Sequence, residues 1–230
     1  MNNHSFFQKT YFFPMHNIII LGPQGSGKGT QSRMLAEKFN LEQIEPGKRL
    51  RQLSEQRSAL GKKINYYINQ KGCLVPTYVL INEVLKEWIN SLSKTKGVVC
   101  DGTPRRLREA IMLEKMLKKT GRVIDYIFFI KISEKETFKR LSIRLTCKKC
   151  NKQFIEGKDT SVGEKKCLLC KGKLYKRKDD NEQGVRNRLA IYYKETMLVV
   201  NYYKEQGRLI EINGEQTIQA VQRDILQYIK

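Results

Sequence analysis

Nine residues, GPQGSGKGT from Gly22 to Thr30, constrain the fold of this chain more than any other stretch. An apolar, β-branched run, Asn17–Leu21, precedes them, and a helical pattern over Lys28–Phe39 follows. Gly22, four residues, Gly27 and Lys28 match the phosphate-binding loop pattern. Gly29 stands where Ser or Thr is expected, and Thr30 comes next. Glycines let backbone N–H groups crowd round an anion, and the following helix adds its positive N-terminal end. Lys28 can bridge transferring phosphates. A glycine-rich turn without a ligand is the plain alternative, and the flanking strand and helix argue against it.

The rest of the chain alternates in the same way. Runs at Gly97–Asp101, Ile124–Lys131 and Arg208–Asn213, with a short one near Gln43–Ile44, read as buried parallel strands. Helical patterns cover Tyr78–Leu92, Arg106–Thr120, Glu134–Leu145, Val185–Glu205 and Thr217–Ile229. Met34, Leu35 and Phe39 give the first helix a short apolar face. Val79, Ile81, Val84, Leu85, Trp88 and Leu92 give the Tyr78–Leu92 helix a broader one. Strands alternating with helices predict an α/β fold around a central parallel sheet of five strands.

One stretch breaks the alternation. From Thr146 to Lys178 there is no helical period, and Lys, Gly and Cys dominate. Cys147 and Cys150, then Cys167 and Cys170, form two C-x-x-C pairs sixteen residues apart, the spacing of a zinc ribbon. A segment this short has little to bury, so a metal would supply its stability. Two disulfides or four free thiols are the alternatives; disulfides need an oxidising compartment. Cys73 and Cys100 lie outside the pattern and read as small hydrophobes. Neither His4 nor His16 has ligand spacing, and both read as solvated or incidental.

At 230 residues the chain can bury a full core. Its 44 Lys and Arg against 23 Asp and Glu give a formal charge of +21, which favours anionic partners: nucleotides, nucleic acid or a membrane surface. A solvated basic surface explains the same number. The longest apolar run, VIDYIFFIKI, is interrupted by Asp125 and Lys131 and is far short of a membrane span. The opening MNNHSFFQKTYFFPMH has the marks of neither a signal nor a transit peptide. Residues 1–14 are expected to form a loose tail, or the start is Met15.

Taken together, GPQGSGKGTQ, GKKINYYINQKGCLVP, VVCDGTPRR, the two cysteine pairs and LYKRKDDNEQGVRNRL resemble the adenylate kinase family in its long, zinc-lidded form. The resemblance runs from about Met15 to the C-terminus, in order and at the right spacing. It implies a three-layer P-loop core over 15–230, with an insertion at 45–74 that binds the nucleoside monophosphate and a zinc-ribbon lid at 141–178. It implies transfer of the γ-phosphoryl of Mg-ATP to AMP, chemistry that needs positioning and charge cancellation more than covalent help. Carried over position by position, Gly25, Ser26, Gly27, Lys28, Gly29 and Thr30 hold ATP, with Arg144, Gln153, Phe154 and Gln216 completing that side. Pro46, Arg51, Cys73, Leu74, Val75, Gly102, Arg105 and Glu109 line the AMP side. Arg177 and Arg188 clamp across both nucleotides, and Asp101 orders the waters of Mg²⁺. Lys28, Asp101, Arg105, Arg144, Arg177 and Arg188 form the expected catalytic set. Cys147, Cys150, Cys167 and Cys170 hold a structural Zn²⁺. Asp179 and Asp180 serve lid closure, with N-caps for the helix at Val185 as the plainer reading. A cytoplasmic monomer with no nucleic-acid or membrane partner completes the family picture.

Several positions depart from the family. Its Ser-Thr-Gly-Asp segment is here Glu45 to Lys48, so Pro46 replaces the Thr beside the AMP base and Lys48 the outer-sphere Mg²⁺ partner. Thr103 stands for an aromatic, Leu145 for a second lid arginine, and Glu109 for the Gln or Asn whose amide reads adenine. A carboxylate only accepts hydrogen bonds, so an ionised Glu109 suits guanine N1–H and N2 better than adenine N1. A protonated Glu109, or backbone groups near Leu74 and Val75, would restore adenine. Adenylate kinase is the first expectation; a kinase for another nucleoside monophosphate such as GMP, and a non-catalytic nucleotide- or nucleic-acid-binding relative, are the alternatives.

Overall fold

A computed structural model describes residues 15–150 and 152–230. The expected tail over 1–14, and His4 with it, lies outside the described residues. β1 (Asn17–Leu21) is buried along its whole length. That is the condition of a strand covered on both faces. It occupies the centre of a parallel sheet of five strands, in the order β2 (Glu42–Ile44), β3 (Val98–Asp101), β1, β4 (Tyr126–Lys131), β8 (Leu209–Asn213). The strand register sets Ile20 beside Asp101, so β3 finishes one residue short of the end of β1.

Side-chain alternation splits the strands between two cores. Ile19, Leu21, Val98, Cys100, Ile127 and Phe129 face one side, with α4 (Thr77–Leu80), α5 (Lys86–Asn90), α6 (Leu107–Lys119) and α9 (Met197–Glu205) over them. Ile18, Ile20, Val99, Phe128 and Ile130 face the other, under α1 (Lys28–Phe39) and α10 (Ile218–Leu226). Cys100 is fully buried, as a small hydrophobe would be. On α1 the buried residues are Gln31, Ser32 and Leu35, while Met34 and Phe39 are only half-buried. Gln31 tolerates this because its amide donates to the Ile218 carbonyl at 2.9 Å. Val79, Ile81, Val84 and Leu85 are buried as expected, and Ile81–Leu85 form a π-helical turn between α4 and α5.

Several expectations need correction. The helix expected to reach Leu145, α7, spans Glu134–Ser142. Arg144–Cys147 instead form β5, which pairs antiparallel with β6 (Gln153–Ile155) and β7 (Leu174–Tyr175). Leu145 faces Phe154 across that pair and packs with Leu174 and Cys167, so its apolar side chain completes a small core elsewhere. The helix expected from Val185 begins earlier, as α8 (Glu182–Ile191). Its N-cap is Asn181, whose Oδ1 accepts from the Gly184 N–H at 2.7 Å; Asp179 and Asp180 point to arginines. It runs on through a π-helical turn, Tyr192–Thr196, into α9. Stretch 45–74 carries α2 (Pro46–Ser54) and α3 (Ala59–Asn65), whose few apolar residues make no long period. His16 is not solvated: it is 6 % exposed, and its ring meets Phe39 and Tyr126 edge-on at 5.2 and 5.7 Å.

Gly97 lies against β1 so closely that a Cβ would stand 2.0 Å from the His16 carbonyl oxygen. Backbone cannot yield as a flexible side chain can. Gly97→Ala should cost about 1–3 kcal/mol of stability, read from the urea midpoint.

Candidate active site

The loop between β1 and α1 depends on missing side chains. Gly22 has φ 147°, and a Cβ there would lie 2.4 Å from the Ile130 carbonyl oxygen. Gly27, at φ 95°, opens α1 in the left-handed region. Lys28 follows, and its Nζ donates to the carbonyls of Gly22 and Pro23, both at 2.7 Å. Burial pulls its ammonium down to about 8; Asp101 opposes the shift, while Arg105 and Arg144 add to it. The departure at Gly29 has a local reason: a Cβ there would sit 3.0 Å from Oδ2 of Asp101. Arg140 braces the loop from α7, donating to the carbonyls of Gly25 at 3.3 Å and Gly214 at 2.9 Å.

Asp101 ends β3 beside this loop. Burial raises its carboxyl, against the pull of Lys28 and Arg105. Glu45, the N-cap of α2, is raised too, by burial first and then by Asp101. The sequence reading passed over Glu45 as a site residue; the only sign was a carboxylate next to an expected pocket residue, Pro46.

Arginines from distant stretches converge over these groups. Arg144 on β5 forms a fork with Asp180, Nε to Oδ2 at 2.8 Å and a second bond to Oδ1. Arg188 on α8 reaches the same Oδ1 at 2.7 Å and Asp179 at 3.1 Å. Arg177 meets Asp179 through Nε at 3.0 Å and a further nitrogen at 2.6 Å. Among the described residues, Arg51 and Arg105 make no ion pair. A Cβ on Gly47 would lie 3.4 Å from the Arg51 guanidinium and 3.9 Å from that of Arg105, so the two converge over this glycine. Burial lowers Arg51 to about 10, and the charges of Arg177 and Arg105 add to the effect. This concentration of cations, with three of them fixed by two aspartates, fits an anion with several phosphate oxygens.

Lys28, Glu45, Asp101, Asp179, Arg51, Arg105, Arg140, Arg144, Arg177 and Arg188 open on one cleft of about 410 Å³, with Asp180 set behind it. Every residue expected on the ATP and AMP sides lines it, including Gln153, Phe154, Gln216, Cys73, Leu74, Val75 and Gly102, with one exception. Ser26 is buried behind the loop, its Oγ 2.8 Å from where a Gly22 Cβ would stand. Lys48 also lines the cleft, as do Arg33 and Lys158, which no motif in so basic a chain would single out.

Glu109 lines the cleft but its oxygens are engaged. Oε2 accepts from the backbone N–H groups of Arg105 at 2.8 Å and Arg106 at 3.2 Å, capping α6. Oε1 pairs with Arg106 at 3.4 Å. Burial raises this carboxyl, while those N–H groups and both guanidinium charges pull it down. Arg106 therefore lies close enough to oppose protonation of this carboxyl.

The four cysteines of the two C-x-x-C pairs meet at one point. All four sulfurs lie within 4.8 Å of one another, with Cys147 to Cys170 at 3.4 Å and Cys150 to Cys167 at 3.8 Å. A tetrahedral zinc with bonds of about 2.3 Å separates its sulfurs by about 3.8 Å, so the donor set suits that ion. None of the four is in a disulfide, nor are Cys73 and Cys100. No helix of the described residues is long and apolar enough to cross a membrane.

Comparison with known proteins gives the same answer throughout. A family model described as adenylate kinase matches residues 20–208. An adenylate kinase of Archaeoglobus fulgidus is 37 % identical over 209 residues, covering 91 % of this chain and 95 % of that protein. One of Dehalococcoides mccartyi is 37 % identical over 216 residues, 94 % of this chain and 99 % of its own. One of Thermosipho africanus is 33 % identical over 214 residues, 93 % and 99 % respectively.

Lys28 also leaves a mark on stability. Its folded pKa of about 8 lies below the 10.5 of a free lysine, so the unfolded chain holds the proton more tightly. The resulting cost is complete below pH 8 and fades as pH rises toward 10.5. Ligand-free Lys28→Met should therefore be more stable than the parent at pH 7, by about 1–3 kcal/mol. Melting curves should show the gap closing over that alkaline window.

Proposed function

The chain belongs to the adenylate kinase family and reversibly transfers the γ-phosphoryl of ATP to AMP, giving two ADP, and we propose that its cleft divides this work as follows. The loop N–H groups from Gly25 to Thr30 and the ammonium of Lys28 take the β- and γ-phosphates of Mg-ATP. Asp101 orders water on the substrate's magnesium; its carboxylate oxygens beside the loop are suitable hard donors. Arg51 and Arg105 hold the AMP phosphate. Arg144, Arg177 and Arg188 surround the phosphoryl group as its bond to the ADP oxygen breaks and one to the AMP phosphate oxygen forms. Charge is spread over that group in transit, so fixed guanidinium groups stabilise it without reorganising. The observation that carries the reading is the meeting of Lys28, Asp101 and five arginines on one cleft.

Stretch 45–74 acts as the acceptor-binding insertion and 141–178 as the lid. Phe154 and Gln153 cover the adenine of ATP, and the lid excludes water that would otherwise hydrolyse it. Cys147, Cys150, Cys167 and Cys170 hold one structural zinc ion. When bound, it cross-links a segment with a very small core, and no coordination position is left open for catalysis. Thiolates kept for a metal suit a reducing compartment, which supports a cytoplasmic enzyme.

The test of the activity is a coupled assay of ADP formation with a panel of monophosphates at fixed Mg-ATP. AMP should be the best acceptor, and Lys28→Met should lower kcat by about 10²-fold or more while the fold persists. Near-normal turnover in that variant would remove the loop from the donor site. For the metal, elemental analysis should return one zinc per chain, and Cys147→Ser or chelation should lower the melting temperature. A metal-free protein of equal stability would overturn the zinc assignment.

A further inference from the structure

Arg106 lies outside the groups assigned above, yet it is the most connected side chain at the acceptor end of the cleft. It immediately precedes α6. One guanidinium nitrogen donates to the Val75 carbonyl at 2.7 Å and approaches Oε1 of Glu109 at 3.4 Å. A second donates to the Leu74 carbonyl at 3.4 Å. Nε lies 3.5 Å from a carboxylate oxygen of Glu195, on the π-helical turn Tyr192–Thr196. Four partners on three separate elements therefore share one planar group. Leu74, Val75, Glu109, Tyr192 and Thr196 all line the cleft.

We propose that Arg106 is the positioning residue of the acceptor pocket, fixing the Leu74–Val75 backbone and the Glu109 carboxylate against each other so that AMP meets a preformed wall. The inference rests on the adenylate kinase reading. Its physical basis is the shape of the guanidinium. A planar fork with five donors satisfies two carbonyls and two carboxylates at fixed angles, which a lysine point charge does not. Glu109 stands where the family carries an amide, and a buried carboxylate at that place requires a counter-charge. Arg106 supplies it from three residues away, one helical turn back. The two residues form one unit, in which the charge at 109 is compensated and the pocket wall is tied to the same cation. Glu195 holds the guanidinium from behind and ties the pocket to the long helix α8–α9.

Steady-state kinetics of the full chain with ATP and AMP tests this. Arg106→Met should raise the KM for AMP roughly tenfold or more, leaving the KM for ATP and kcat at saturating AMP within about twofold. Arg106→Lys should recover little of the AMP affinity, because charge alone does not hold both carbonyls. Glu195→Gln should raise the KM for AMP by a smaller factor. An unchanged KM for AMP in Arg106→Met would overturn the proposal. So would a parallel rise in both KM values, which would mark Arg106 as a general structural residue. If Arg106→Met does not fold, Arg106→Lys is read by the same criteria. A parent protein that does not phosphorylate AMP would instead overturn the functional reading, and is distinguishable from either result.

Discussion

Two neighbouring aspartates hold three arginines that would otherwise repel one another, and the geometry of the cleft follows from this contact. Asp180 takes Arg144 from β5 and Arg188 from α8; Asp179 takes Arg177 and Arg188. Arg144 and Asp180 are both almost fully buried, so their charges interact with little screening from water. Removing one partner of such a pair leaves a buried charge without compensation. The strand that carries the cysteine sheet is thereby fastened to the start of α8, and three guanidinium groups are presented to the cleft in fixed directions.

The remaining cations are only partly offset, Lys28 by Asp101, Arg105 by Glu109 and Asp101, and Arg51 by Asp179. Arg51 and Arg105 face each other over Gly47, and Lys28 is pulled down by burial with both Arg105 and Arg144 close by. Fold stability is thus lowered where the substrate binds. A polyphosphate restores the balance by supplying the missing negative charge, so binding energy and relief of repulsion act together. Glycine has a matching role. Gly22 and Gly29 each leave space that a Cβ would take from a carbonyl or a carboxylate.

Much of this was legible beforehand. The loop, its strand and α1 were readable because the phosphate pattern demands a particular backbone, and only glycine at those positions permits it. The parallel sheet was readable from fully apolar runs such as Asn17–Leu21. What failed were boundaries and second partners. Arg144 and Leu145 look like the last turn of α7, since a buried strand of four residues is too short for its period to be told from that of a helix. For Asp179 and Asp180, expected to serve lid closure, capping stayed open as the alternative, because an N-cap and an ion-pair acceptor use the same side chain. Arg106 is invisible among 44 basic residues.

The sequence alone therefore determined the chemistry available: a phosphate loop, a series of arginines, two cysteine pairs and the order in which they occur. These depend on residue type and short-range spacing, which sequence records directly. The tertiary structure decided which charges face which. It turned Glu109 toward the α6 backbone and Arg106, buried His16 between Phe39 and Tyr126, and set Glu45 close to Asp101. Such outcomes depend on distances between elements far apart in the chain, and electrostatic energy in a low-dielectric cleft changes steeply with those distances.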